Sequence, residues 1–173
     1  MYSIPVFIIK DKQAFNLDMR FLGKPIDMCK KFKEQGYKLV HIIDKDAKSG
    51  SSTNFDIYNN LTFFLNIQVE ISSNEEFVKK LLKINSRVVI PPNPQFNLSK
   101  ESKKLLVAKF RADVDYDQLD ISCFNDVILE NADDASVDCY LAQEKRIMVF
   151  ESDFKKLSKE KAKKIWGILL VSF

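Results

Sequence analysis

The sequence has 173 residues, which is enough for one domain with a substantial core. Apolar residues make up 46% of the chain and charged residues 29%, as in ordinary globular proteins. The net charge of +3 provides no strong field for a polyanion, so we expect no nucleic-acid partner.

Three cysteines, Cys29, Cys123 and Cys139, are odd in number and widely spaced, which argues against a zinc site or a disulfide framework. Reduced thiols predict a cytoplasmic location. Residues 1–12 lack the basic lead and long apolar region of a signal peptide. No apolar run approaches the ~20 residues that span a bilayer, so we expect no membrane segment.

Seven short apolar runs predict strands. They are rich in Val, Ile and Phe and lack strict alternation, as expected for strands that are covered on both faces. The runs are Ile4–Ile9, Leu39–Ile43, Ile67–Ile71, Val88–Ile90, Leu105–Phe110, Val127–Leu129 and Ile147–Phe150.

Amphipathic, lysine-rich stretches between these runs predict helices. Pro25 suits the first turn of a helix that continues to Gln35, and Gly36 stands where a C-terminal cap belongs. Asn74 is suited to cap a second helix, and a third begins after Ser158.

The alternation of strands and helices predicts an α/β fold with parallel strands. From Val88 onward, the apolar runs recur about every 20 residues, close to a minimal βα unit. We therefore expect residues 1–173 to form a single compact TIM-type (β/α) barrel. Because such barrels usually need ~250 residues, it is trimmed or incomplete, and a doubly wound open sheet is the alternative. Gly167–Phe173 fits either an eighth strand or the tail of the last helix.

The stretch from Leu39 to Gly50 is a predicted buried strand that leads into a polar loop, and it contains His41, Asp44 and Asp46. It resembles the second strand and loop of two related barrels of histidine biosynthesis, which carry a His-x-Val-Asp-x-Asp pattern there. These are the phosphoribosyl isomerase and the cyclase subunit of imidazole glycerol phosphate synthase. The order and spacing of the neighbouring pieces extend the resemblance from Ile4 to about Asp113.

The resemblance implies an isomerase that converts an aminoaldose to an aminoketose without a cofactor. Aspartates at the ends of the first and fifth strands act as acid and base, and glycine-rich turns bind two phosphates. Here Ile8 stands at the first aspartate position, and an alkyl side chain carries no proton. Glu70 and Glu151 place negative charge where phosphates would bind. We therefore expect the ancestral activity to be lost.

Several polar residues at predicted strand ends remain candidates for a site. Asp44, Asp46 and Asp113 are candidate catalytic acids or bases, although the two former residues also suit loops in which carboxylates bind backbone N–H groups. The candidate ligand-binding residues are Lys10, Glu70, Ser72, Ser73, Arg111, Glu151 and Ser152. Lys10, Lys109 and Arg111 are either ligands for an anion or counterions of nearby acids. No motif of metal-binding spacing occurs, and we expect His41 to be buried and hydrogen-bonded.

We interpret the chain as a diverged, non-catalytic relative, a pseudoenzyme, that acts by ligand binding or protein association. The ligand would be small and anionic or sugar-phosphate-like, and an incomplete barrel with open strand edges would favour a homo-oligomer. The alternative is an isomerase-like enzyme with a relocated carboxylate pair at the strand ends. A cavity there that holds at least two of the candidate carboxylates would favour the enzyme.

Overall fold

The computed structural model describes residues 1–72, 74–92, 104–112 and 121–172. Ten strands form one sheet, and eight of them are parallel. In chain order the strands are β1 (Tyr2–Lys10), β2 (Gln13–Phe15), β3 (Phe21–Gly23), β4 (Leu39–Asp44), β5 (Asn66–Glu70), β6 (Arg87–Ile90), β7 (Leu106–Arg111), β8 (Asp126–Glu130), β9 (Arg146–Phe150) and β10 (Gly167–Leu170). All seven predicted strands are present.

The barrel is closed, because the last strand β10 pairs in parallel with β1. Ser3 lies opposite Ile168, and Ile4 lies opposite Leu169. The alternatives of an open sheet and an incomplete barrel were therefore wrong, and the segment after Gly167 forms the eighth barrel strand rather than a helix tail. Closure also removes the open barrel edges that were our reason to expect self-association.

Seven helices lie among the described residues: α1 (Pro25–Glu34), α2 (Lys45–Lys48), α3 (Phe55–Leu61), α4 (Glu75–Lys83), α5 (Asp134–Ala142), α6 (Glu151–Phe154) and α7 (Lys159–Ala162). The predicted caps are confirmed. Pro25 stands in the first turn of α1, and Gly36 follows that helix with a φ of +86°. The side chain of Asn74 accepts a hydrogen bond from the N–H of Phe77, and Ser158 caps α7.

Strand alternation divides the apolar residues into two clusters. The outer cluster packs the strands against the helices and includes Phe7, Phe32 and Tyr58. The inner cluster fills the barrel with side chains from seven of its eight strands: Ile4, Val6, Ile8, Leu39, Ile43, Val89, Val107, Ile128, Met148 and Leu169. The short helices keep the barrel small, yet both layers of the fold are filled.

A hairpin that the sequence analysis did not predict follows the first strand. Strands β2 and β3 pair antiparallel and extend the sheet beyond β1. Asp11 and Lys12 form the turn at positive φ values of 49° and 63°. The hairpin brings Phe15 and Leu17 against the inner cluster beside Ile8, so apolar side chains cover this part of the barrel mouth.

In the described part of the chain, no helix combines the length and apolar character needed to cross a bilayer.

Candidate functional site

A cavity of about 270 Å³ opens at the carboxyl ends of β5 to β8. Five of its lining residues are charged: Lys48, Glu70, Lys109, Arg111 and Glu130. Its remaining walls are apolar: Ile71, Ile90, Pro91, Pro92 and Phe110. Ligand sites of β/α barrels form at this face, because the strand ends and the loops after them converge there.

Glu70, the last residue of β5, lies at the centre of the charged groups with only 5% of its side chain exposed. Its carboxylate accepts hydrogen bonds from the Nζ atoms of Lys48 and Lys109 and from Nε2 of His41, the last at 3.2 Å. Burial alone would raise the pKa of Glu70. The His41 hydrogen bond and the two lysine charges outweigh burial and hold this pKa well below its usual range. Glu70 is therefore a fixed anion at neutral pH.

Lys109 links Glu70 to Glu130 on the opposite side of the cavity. Its Nζ lies 3.0 Å from Oε2 of Glu70 and 2.7 Å from Oε1 of Glu130, and it also lies over the ring of Phe150. Burial lowers the pKa of Lys109, but the two carboxylates outweigh this and raise it above its usual value. Lys109 is therefore a permanent cation, and an uncharged nucleophilic role does not suit it.

His41 is fully buried inside the barrel, as predicted, and its neighbours define its tautomer. Nε of Arg87 donates to Oε1 of Gln68 at 2.9 Å, and a guanidinium can only donate. The amide nitrogen of Gln68 therefore faces Nδ1 of His41, at 3.0 Å, and donates to it. The ring proton is consequently on Nε2, which donates to Glu70. Burial lowers the pKa of His41 despite Glu70, so the ring is neutral.

The same hydrogen-bonded network continues to the amino-terminal face of the barrel. Asp126, the first residue of β8, is fully buried and pairs with both Arg87 and Arg146, each through an Nη2 contact of 2.8 Å. The two guanidinium groups lie 5.2 Å and 4.9 Å from the ring centre of Trp166. Polar side chains thus cross the barrel interior, where Val, Ile and Leu usually dominate.

Asp44 and Asp46 lie outside the cavity and organise the loop after β4. The fully buried Asp44 caps α2 by accepting from the N–H groups of Asp46 and Ala47, and it also accepts from Asn54 and from the Tyr58 hydroxyl. Asp46 accepts from Asn54 and from the backbone N–H of Asp11, each at 2.8 Å. Burial raises the pKa of Asp44 although these donors oppose it. Asp44 therefore caps α2, and Asp46 links Asn54 to the hairpin turn at Asp11, so both carboxylates bind within their loop, as the alternative for these two residues expected.

The other predicted site residues are dispersed. Arg111 lines the cavity with Glu70, whereas Lys10 is exposed at the hairpin turn. Ser72 donates to the carbonyl of Ala47 at 2.9 Å. Glu151 pairs with Lys155, and Ser152 is exposed. Asp113 and Ser73 lie outside the described residues.

The first strand, Tyr2–Lys10, contains no carboxylate, and Ile8 stands where the resemblance places the first catalytic aspartate. Ile8 is 3% exposed, belongs to the inner apolar cluster and lies opposite Ile43 and Phe15 in the sheet. An ionised side chain at this position would lose its hydration without gaining a partner in that cluster. Of the described carboxylates that the sequence analysis named, Glu70 alone lines the cavity, and Glu130 is its unpredicted second acid.

Gln68, Arg87, Asp126 and Glu130 were missed because each belongs to a different strand or strand end and no local motif connects them. A weak signal existed in the strands. Polar residues stand at alternate positions, as Gln68 and Glu70 do on either side of Val69, which indicates a polar inward face. Within the described residues, no group of three or more His, Cys, Asp or Glu side chains is placed to hold a metal ion.

No protein-family model matches the chain. The phosphoribosyl imidazole-4-carboxamide isomerase (HisA) of Methanocaldococcus jannaschii is 32% identical over 101 residues, which cover 52% of this chain and 43% of that protein. The corresponding isomerase of Nitrosopumilus maritimus is 33% identical over 100 residues, or 52% and 42% of the two chains. An uncharacterised protein of Methanocaldococcus jannaschii is 32% identical over 106 residues, covering 52% of this chain and 47% of that protein.

A mutant tryptophan synthase alpha subunit from Pyrococcus furiosus superposes with a TM-score of 0.60 at 12% identity, covering 98% of this chain and 86% of that one. This likeness supports the barrel fold alone. The chain spans less than half the length of the curated isomerases it matches. Over half of its own length, the chain is therefore similar to the HisA-type isomerases of histidine biosynthesis, in a shortened form, as the resemblance predicted.

Proposed function

We propose that this barrel binds a small anionic ligand of the sugar-phosphate type at its mouth and lacks aldose–ketose isomerase activity. The observation that carries the proposal is the placement of Lys48, Lys109 and Arg111 around one cavity. Ile8, near the end of β1, lies under an apolar cover and supplies no acid. The formal charges of the five lining ionisable residues, three cations and two carboxylates, sum to +1. An anion is therefore the better electrostatic match.

We infer the lack of isomerase activity from the apolar residue at Ile8 and from the ionised state of Glu70. Aldose–ketose isomerisation moves protons between carbon and oxygen, so it needs a group that can donate a proton and a group that can accept one. Ile8 can do neither, and Glu70 is held ionised by its neighbours, which leaves it without a proton to donate. The buried, neutral His41 donates a hydrogen bond to Glu70 and does not line the cavity.

Ribose 5-phosphate is a suitable probe for binding, measured by calorimetry and by thermal shift, because a ligand that binds the native state raises the melting temperature. Lys48→Met removes a partly exposed cation from the cavity, and we expect it to weaken binding about tenfold. Lys164→Met is the matched control, since Lys164 also forms one ion pair and lies outside the cavity. Equal affinities of the wild type and Lys48→Met would contradict the proposal.

The second part of the proposal is tested with the aminoaldose substrate of the isomerases. We expect no conversion above background by the purified chain under conditions in which a full-length HisA isomerase is active. Conversion that persists after repeated purification would contradict the loss of activity.

One observation favours the alternative of a relocated acid–base pair: Lys109 contacts both Glu70 and Glu130 in one cavity. If the two carboxylates shared an acid–base role, Glu130→Gln would abolish turnover while leaving probe binding within about threefold. The binding-protein proposal expects no turnover to lose, so the same variant separates the two functions.

Two further parts of the proposal concern the cellular context. We infer a cytoplasmic location because Cys29, Cys123 and Cys139, all within the described residues, form no disulfide with one another. We infer that the chain binds no nucleic acid, since its charges are nearly balanced at +3 overall. Self-association stays a prediction, which sedimentation at several concentrations would test.

A further inference from the structure

We propose that His41 is a positioning residue, and that Arg87, Gln68 and His41 form a relay that fixes Glu70 in the mouth from the opposite face of the barrel. The expected effect of the relay on ligand affinity rests on the proposed function, because Glu70 is the acid at the centre of the binding cavity. The relay itself rests on hydrogen-bond geometry and stands apart from any ligand.

Each hydrogen bond of the relay donates toward the mouth. Arg87 donates to Gln68 at 2.9 Å, Gln68 donates to His41 at 3.0 Å, and His41 donates to Glu70 at 3.2 Å. The direction of these hydrogen bonds cannot reverse, because the guanidinium of Arg87 can only donate and the ionised carboxylate of Glu70 can only accept. The charged groups at the two ends therefore define the tautomer of the ring between them.

The relay lies in the barrel interior, where apolar side chains could be buried at a lower free-energy cost than these polar groups. Gln68 and His41 are fully buried and Glu70 is 3% exposed, so each polar atom needs its partner. Apolar residues of similar size often match or exceed the stability of a buried polar group. What hydrocarbon cannot supply is orientation. His41 occupies Oε2 of Glu70, while Lys48 contacts Oε1, so the carboxylate is held from both sides.

The consequence for binding is a cavity whose charges are prearranged. Lys109 and Lys48 are anchored on a carboxylate that does not rotate, so their ammonium groups meet an anion without reordering, which favours affinity. Loosening the relay should cost about threefold to tenfold in the affinity for ribose 5-phosphate, the range expected for one hydrogen bond.

The test exploits the fact that His41 is the only histidine of the chain, so its ring nitrogens can be identified by NMR without assignment. We expect a protonated Nε2 and an unprotonated Nδ1 throughout pH 5 to 8. The charged groups that face the ring or its hydrogen-bonded partners are Glu70 on β5, Lys48 on α2, Lys109 on β7 and Arg87 on β6, with neutral Gln68 against Nδ1. A protonated Nδ1, or a mixture of tautomers, would overturn the relay.

Two variants of Gln68 separate positioning from a merely structural role. Gln68→Glu still accepts from Arg87 but presents an acceptor to Nδ1, so both ring nitrogens should become protonated. The introduced carboxylate and the charged His41 would form a neutral pair that still donates to Glu70, and affinity for ribose 5-phosphate should stay within about threefold. Gln68→Leu breaks the relay, and the affinity should fall by the threefold to tenfold given above.

Equal losses of affinity in the two variants would also overturn the positioning role. If Gln68→Leu does not fold, the ring protonation of the wild type and Gln68→Glu decides the relay by itself. If ribose 5-phosphate binds none of the proteins while the ring state is as expected, the proposed function fails and the relay stands.

Discussion

Replacing Glu70 with glutamine is the sharpest test of the charged network at the mouth. The substitution preserves the size of the side chain and an oxygen that can accept from His41, but it removes the charge shared by Lys48 and Lys109. Breaking a buried ion pair on one side typically costs 3–5 kcal/mol. We expect about 3 kcal/mol, the lower end, because Lys48 is 39% exposed and Lys109 retains Glu130 at 2.7 Å.

The pH dependence of this loss distinguishes charge from packing. The pKa of Glu70 lies below its ordinary value of 4.5 in the folded chain, so its stabilisation is complete above that value and is lost as the pH falls toward the folded pKa. Urea unfolding of wild type and Glu70→Gln should differ by about 3 kcal/mol at pH 7. This difference in the free energy of unfolding should become smaller by about 2 kcal/mol between pH 5 and pH 3. Below pH 4.5 it should shrink by about 1.36 kcal/mol for each pH unit.

Glu75→Gln provides the control, because Glu75 forms an exposed i,i+4 pair with Lys79 at the start of α4. Its free energy of unfolding should change by less than about 1 kcal/mol. A loss for Glu70→Gln that is below 1 kcal/mol, or that does not depend on pH, would refute the view that Glu70 is a buried, ionised centre.

Three further predictions concern the scaffold. A Cβ at Gly167 would stand 2.8 Å from Cδ1 of Ile4, where β10 closes the barrel, so Gly167→Ala should cost about 1–2 kcal/mol in urea unfolding. Adding Ile4→Val removes that atom and should restore part of the loss; no recovery would contradict the steric reason. Tyr58→Phe removes a donor from the buried Asp44 and should cost about 1–2 kcal/mol by the same assay, whereas unchanged stability would show that the cap does not need the hydroxyl. Burial raises the pKa of Cys29 to about 12, so iodoacetamide at pH 8 should label it only after unfolding, as followed by peptide mass spectrometry, and rapid native labelling would refute its burial.

The strands were predictable because burial on both faces leaves a local signature. Leu39–Asp44 and Asp126–Glu130 each contain an apolar run that is too short for a helix, and their β-branched residues favour extended backbone. The hairpin was not predictable in the same way. Its strands have three residues each, and its turn places Asp11 and Lys12, rather than glycine, at positive φ.

The mouth cavity was only partly predictable. Glu70 and Arg111 were named because they follow apolar runs, and the resemblance identified Ile8 as the position that lacks an acid. Asp44 also lies at a predicted strand end, yet it has the parity of Val40 and Ile42, which pack in the outer cluster, so it faces away from the barrel interior and caps α2. Glu70 lies on the inward face together with Gln68, because Val69 between them packs in the outer cluster. Tertiary packing decides which side chains of other strands, such as Lys109, meet Glu70 there.

The order of apolar runs along the chain thus determined the parallel strands and their helices, since burial of apolar surface acts on each segment locally. Closure of the barrel and the polar path from Asp126 to Glu70 were decided only in three dimensions. Closure requires β10 to meet β1, and the polar path requires the strands from β4 to β8 to take one register. Contacts between residues so distant in the chain leave no local pattern.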